Sequence, residues 1–91
     1  MKIENKKRYI IVQESGFVRI GEVVRNNHQI FGEVYTITNN YIIRVWGTKN
    51  GLGQLATQGK TSATVLDYEG TTHIPVKKVL HFIEIKEGVK L

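Results

Sequence analysis

The sequence predicts a small, mainly β domain: an antiparallel meander or curved sheet with one short helix at about residues 51–58. Three observations lead there. Short runs rich in Ile, Val, Tyr, Phe and Thr recur along the chain, each bounded by Gly, Asn or Ser. The first connections are short enough to force antiparallel neighbours. Around residue 50 the period changes, because Leu52, Leu55 and Ala56 stand at i, i+3 and i+4, the spacing of a helix face. Ninety-one residues suffice for one domain, so residues 1–91 are read as a single unit. A sheet that closes or curves strongly is how so small a β domain hides its edges.

Taken in order, Arg8–Glu14 is rich in β-formers and Ser15-Gly16 suits a two-residue hairpin turn. Phe17–Val24 returns, Asn26-Asn27 opens a longer loop, and Ile30–Thr38 is a third strand in which Gly32 marks a bulge or a late start. Asn39-Asn40 reads as another tight turn, since asparagine tolerates positive φ. Tyr41–Trp46 is the fourth strand. The helix follows, with Asn50 placed to cap its start and Gly59 to end it. Ala63–Leu66 is strand-like, Glu69-Gly70 turns, Thr71–Ile74 stops at Pro75, and Val79–Ile85 is the last strand, with residues 86–91 expected to fray. Gly70–Val79, a strand ending in Ile-Pro followed by a tight turn and Val, resembles the last corner of SH3-like barrels, which makes such a barrel the alternative architecture.

Thirteen basic against eight acidic residues give a net charge of +5, which favours anionic partners without requiring nucleic acid. The positive residues are spread out, with Lys6-Lys7-Arg8 and Lys77-Lys78 the tight groups. There is no cysteine, hence no disulfide or thiolate chemistry, and a reducing cytoplasm is the expected compartment. The longest uncharged apolar run, Tyr9–Val12, is far too short for a membrane span, and the first residues do not read as a signal peptide. No membrane partner is expected.

Gly59-Lys60-Thr61 looks like the end of a phosphate-binding loop. That motif needs a glycine at position 54, which is Gln54, and a long helix after the lysine, where a β run stands instead. A looser anion site survives this test. A short helix entered through Gly47-Thr48-Lys49-Asn50-Gly51 leaves backbone N–H groups to attract phosphate. Lys49 and Lys60 bracket it with charge, and Thr48, Gln54, Thr57 and Thr61 offer hydrogen bonds. The plain alternative is a connector with solvated lysines. Arg44 and Trp46, two apart on a strand, share a face and could clamp a phosphate and stack a base. Equally, Trp46 could cap the core with Arg44 packed over it.

Catalytic and metal readings find little. Ser62, Asp67 and His73 lack a nucleophile elbow, and His28, His73 and His81 lack metal-ligand spacing. Glu22, Glu33, Asp67 and Glu84 read as isolated, solvated carboxylates. The aromatic residues Tyr9, Phe17, Phe31, Tyr35, Tyr41, Tyr68 and Phe82 alternate with Ile and Val and point to core. No enzyme, cofactor or metal is expected.

Arg44-Val-Trp46-Gly47, Leu52-Gly-Gln-Leu55-Ala56, Gly59-Lys-Thr61, Val65-Leu66 and the strand Val79–Ile85 occur in that order. Together they resemble a pattern in small uncharacterised proteins encoded by phages and prophages, over roughly the second half of the chain. By analogy the resemblance implies an anti-defence nucleotide sponge. Such a protein binds cyclic nucleotides or ADP-ribose-derived immune signals in the host cytoplasm without cleaving them. On that reading Arg44, Trp46, Thr48, Lys49, Gln54, Lys60 and Thr61 form the ligand site. The pocket would lie between subunits of a homo-oligomer, because one 91-residue chain cannot enclose a dinucleotide comfortably. The rival expectations are a small basic β-barrel that binds nucleic acid or a host protein, and a hydrolase acting on such signals.

Overall fold

A computed structural model gives the fold and describes residues 7–89 and 91. Five strands, β1 (Arg8–Gln13), β2 (Val18–His28), β3 (Gly32–Val45), β4 (Val65–Pro75) and β5 (Val79–Glu84), form one antiparallel sheet in the order β4-β3-β2-β1-β5. Helix α1 (Gly51–Gln58) lies between β3 and β4, and a 3-10 turn (Val76–Lys78) joins β4 to β5. The chain meanders from β1 to β4 and then returns to place β5 beside β1. The expected curved meander and its short helix are therefore present. The sheet is not a closed barrel, because no ladder joins β4 to β5. The Pro75 corner behaves as the sequence suggests: the strand stops there, one tight turn follows, and Val79 starts the next strand.

Four local expectations need correcting. The Asn39-Asn40 pair is not a hairpin turn. It is a bulge inside the single 14-residue strand β3. The pairing with β2 slips by one residue there, from Ile20↔Tyr41 to Glu22↔Thr38. Asparagine's tolerance of positive φ is used, at Asn39 with φ 49°, but to bend a strand and not to reverse it. Glu69-Gly70 is likewise no turn: β4 runs through it, and Gly70, at φ 86°, pairs with Asn40 at the same bend. Asn26-Asn27 belongs to β2, which continues to His28, and Gly32 is the late start of β3. The first hairpin has a three-residue loop. Gln13 N–H bonds to Phe17 O, Gly16 N–H bonds to Gln13 O, and Gly16 takes φ 89°.

The bulge explains how one thin sheet owns two cores. Side chains alternate faces along a strand, so an extra residue moves the apolar set to the other side. Beyond the bulge Ile43 joins Ile10, Val18, Ile20, Leu55, Ala56 and Ile85. Before it Ile37 joins Tyr9, Ile11, Val23 and Ile74. β1 lies between the two clusters, and Tyr9, Ile10 and Ile11 are all fully buried. Gly21 sits opposite the bulge, where a Cβ would collide with Ile37 Cγ2 and lie 2.9 Å from Thr38 O.

Helix α1 is held by packing. It carries two glycines, each unfavourable by about 1 kcal/mol relative to alanine. Its apolar stripe puts Leu55 and Ala56 fully into the first core. Gly59, at φ 90°, ends it and donates its N–H to Leu55 O at 3.0 Å. Asn50 makes no side-chain cap; instead Gln54 Oε1 accepts the Asn50 N–H at 3.0 Å. The expected fraying tail is packed. Lys86 N–H bonds to Ala56 O at 2.8 Å, and Val89 and Leu91 lie partly buried against the first core.

Candidate functional site

The candidate site is where β3 leaves the sheet. By strand alternation Ile42 and Arg44 face away from Ile43 and its core partner Leu55. The Arg44 guanidinium reaches across to β4, with Nε 2.6 Å from Asp67 Oδ2, and both side chains are more than half exposed. Trp46 follows the end of the strand, so the alternation that would align it with Arg44 stops at Val45. It does not cap the core. The residue is 43 % exposed, and its ring lies beside the start of α1, where a Cβ on Gly51 would come 3.8 Å from Trp46 Cζ3.

The polar side chains around it are mostly committed to holding the loop. Thr64 Oγ1 donates to Trp46 O at 2.7 Å, and Thr61 Oγ1 donates to Gly47 O at 2.6 Å. The 61–64 segment thus clamps the backbone at 46–47 from the side. Gly47 takes φ 69°, and a Cβ there would run into the Ala63–Thr64 backbone. Thr48 Oγ1 donates to Gly51 O at 2.6 Å, Thr57 Oγ1 to Gly53 O at 2.8 Å, and Gln54 is occupied with the Asn50 amide. Of the seven predicted ligand residues, then, Thr48, Gln54 and Thr61 shape the loop. Arg44, Trp46, Lys49 and Lys60 present themselves to solvent, and the two lysines have no ion-pair partner among the described residues.

The fold adds residues that sequence reasoning missed. In register, Arg19 of β2, Ile42 of β3 and Asp67 of β4 form one row across the sheet. Arg19 lies 5.9 Å from the centroid of the half-exposed Phe17 ring. It donates to Gln13 Oε1 at 2.6 Å and pairs with Glu69. Glu69 also accepts from Asn40 Nδ2 at 2.8 Å and Thr72 Oγ1 at 2.8 Å. Burial alone would push the Glu69 carboxyl up. The Thr72 bond, the Arg19 charge and bond, and the Asn40 bond outweigh it and hold the group below its ordinary value of 4.5. Phe17-x-Arg19 and Asp67-x-Glu69 show the alternation that would have flagged these residues. Their meeting depends on register, which a single sequence does not contain.

The other singled-out residues are dispersed. Asp67 is held by Arg44, and His73 by Thr36, so Ser62, Asp67 and His73 do not assemble. No group of three metal-binding side chains occurs among the described residues. The carboxylates expected to be isolated are engaged: Glu22 by Thr38 and Asn39, Glu33 by Arg25, Asp67 by Arg44 and Glu84 by Lys7. The aromatics divide. Tyr9, Tyr35 and Phe82 pack at the second core, while Phe17, Phe31 and Tyr68 are exposed. No helix of the described residues is long and apolar enough to cross a membrane.

No protein-family model matches the chain, and none of the curated proteins or solved structures compared with it matches either.

Proposed function

We propose that this chain is a non-catalytic binding domain for a nucleotide-type anion, with a base stacked on Trp46 and phosphate held by Arg44, Lys49 and Lys60. One observation carries the reading. A tryptophan left 43 % exposed stands two residues from an arginine whose side chain is 59 % exposed. Large rings are among the most favourable groups to bury, so one left partly open, close in sequence to Arg44, Lys49 and Lys60, suits a base that stacks and a phosphate that pairs. Thr48, Gln54 and Thr61 act in this reading as positioning residues, since their hydrogen bonds fix the loop. Asp67 is the group a phosphate displaces from Arg44.

An open face covers a base from one side only. A second copy supplying the other side is therefore part of the proposal, and the ligand would sit in a homo-oligomer. In the phage setting that the sequence pattern resembles, the consequence is sequestration of an immune nucleotide signal.

A second reading shares this chemistry. Arg19 of β2 and Ile42 and Arg44 of β3 share one face of the sheet, with half-exposed Phe17 just ahead of β2 and Arg44 more than half exposed. Exposed aromatics with arginines on an open sheet suit a single strand of nucleic acid. One experiment separates the two. The protein is mixed with cyclic dinucleotides, ADP-ribose isomers and short oligonucleotides, filtered and heat-denatured, and the released ligand is identified. An intact small nucleotide supports the sponge. Salt-sensitive retention of oligonucleotide alone supports the strand binder. Cleavage products, or no retention at all, refute a non-catalytic nucleotide-binding domain.

A further inference from the structure

A second cluster stands at the far end of β3, independent of Trp46. At the tip of the β2–β3 hairpin the His28 ring stacks on Phe31 with centroids 4.6 Å apart, and His73 of β4 lies 4.8 Å from His28. Phe31 is 58 % exposed and Ile30, beside it, 79 %. Core packing does not account for three rings gathered on a surface.

The nitrogens of the two histidines are oriented from below. His28 Nδ1 accepts the Ile30 N–H at 3.0 Å and the Phe31 N–H at 3.3 Å. Both donors are backbone amides, so Nδ1 carries no proton and the neutral ring holds its proton on Nε2. For His73 a relay runs across three strands. Asn26 Nδ2 donates to Thr36 Oγ1 at 2.7 Å, and Thr36 Oγ1 lies 2.9 Å from His73 Nδ1. That contact is satisfied by either tautomer of His73, and the one in which the Thr36 hydroxyl donates to Nδ1 places the proton on Nε2. Neither Nε2 has a partner among the described residues.

We propose that His28 and His73 form a paired N–H clamp for an oxyanion carried on an aromatic body, with Phe31 as the stacking surface. Two adjacent imidazole N–H donors match two oxygens of a phosphate or carboxylate, and the ring of the same ligand lies on Phe31. A metal ion is the wrong guest at His28. Ligation through Nε2 requires the proton to move to Nδ1, where two amide donors already point. The site does not involve Arg44 or Trp46 and stands independently of the function proposed above.

The test uses the full chain labelled with nitrogen-15 and long-range imidazole spectra at neutral pH, titrated with phenyl phosphate, inorganic phosphate and sodium chloride. The expected result is an Nε2–H tautomer on both rings. Both Nε2 resonances should move saturably with phenyl phosphate, and inorganic phosphate should bind about three- to tenfold more weakly, the scale of one aromatic contact. Phe31→Ala should bring the two phosphates level. Thr36→Val, which keeps shape and removes the hydroxyl, should weaken both, and exposed His73→Ala serves as a second variant if Thr36→Val alters the fold. An Nδ1–H tautomer at His28, shifts no larger than chloride produces, or saturable Zn2+ binding through both rings without a phosphate response would each overturn the proposal.

Discussion

Replacing Gly47 with alanine should destabilise the protein by about 3 kcal/mol, and the structure supplies each part of that figure. Gly47 sits at φ 69°. A non-glycine residue in the left-handed region costs about 1 kcal/mol. The added Cβ would also overlap Ala63 C and Thr64 N and lie 2.8 Å from Ala63 O. These are backbone atoms that no rotamer change can remove. Relief requires the 61–64 segment to move off Trp46–Gly47, stretching the Thr64–Trp46 and Thr61–Gly47 hydrogen bonds. Each such bond contributes about 1 kcal/mol net. Gly51 is the internal control. Its φ is 75°, but a Cβ there meets only Trp46 Cζ3, at 3.8 Å. Gly51→Ala should therefore cost about 1 kcal/mol, the backbone contribution alone. Urea unfolding with a shared slope reads the difference directly, and for a domain of this size each kcal/mol shifts the melting temperature by roughly 4–8 °C. If Gly47→Ala costs no more than Gly51→Ala, the close backbone crossing that holds the Trp46 loop does not exist as described.

Leu55→Ala, at a fully buried helix position, should cost about 2–5 kcal/mol and loosen α1, checked by urea unfolding and helical circular dichroism. Glu69 gives a pH signature. Its folded value lies below the ordinary 4.5, so its stabilisation is fully present above that value and is lost as pH falls through the lower folded one. Glu69→Gln should lower stability near neutral pH and flatten its fall on acidification below about pH 4.5, measured as urea midpoints across that range. Gly21→Ala should destabilise by about 1–3 kcal/mol, because the new methyl meets Ile37 and the Thr38 carbonyl at the bulge.

Local chemistry made much of this fold legible in the sequence. The helix at Gly51–Gln58 is readable because its spacing and its terminal glycine agree, although Asn50 does not cap it, and Pro75 ends its strand through a missing donor. The Asn39-Asn40 bend differs from the expected turn for a physical reason. A residue at positive φ serves a turn and a bulge equally, and the choice between them is made by whether β2 and β4 continue to pair alongside. The same limit applies to the candidate site. Arg44, Trp46 and the lysines are neighbours in sequence and were found together. Phe17, Arg19, Asp67 and Glu69 come from distant segments and meet only through register. Thr48, Gln54 and Thr61 fit a ligand site on sequence grounds because a hydroxyl or amide in a glycine-rich loop serves a phosphate or the loop's own backbone equally well. Here their hydrogen bonds go to the backbone.

Trp46 is the chain's single tryptophan, so its fluorescence, excited selectively over the four tyrosines, reports on the proposed site. The decisive measurement is its emission during titration with cyclic dinucleotides, ADP-ribose isomers and a short single strand, in the wild type and in Arg44→Ala. A saturable change is expected with at least one of these ligands, weakened by salt and reduced about tenfold or more in affinity when the arginine is removed. Emission that stays unchanged across the panel, or binding that Arg44→Ala leaves intact, would contradict it.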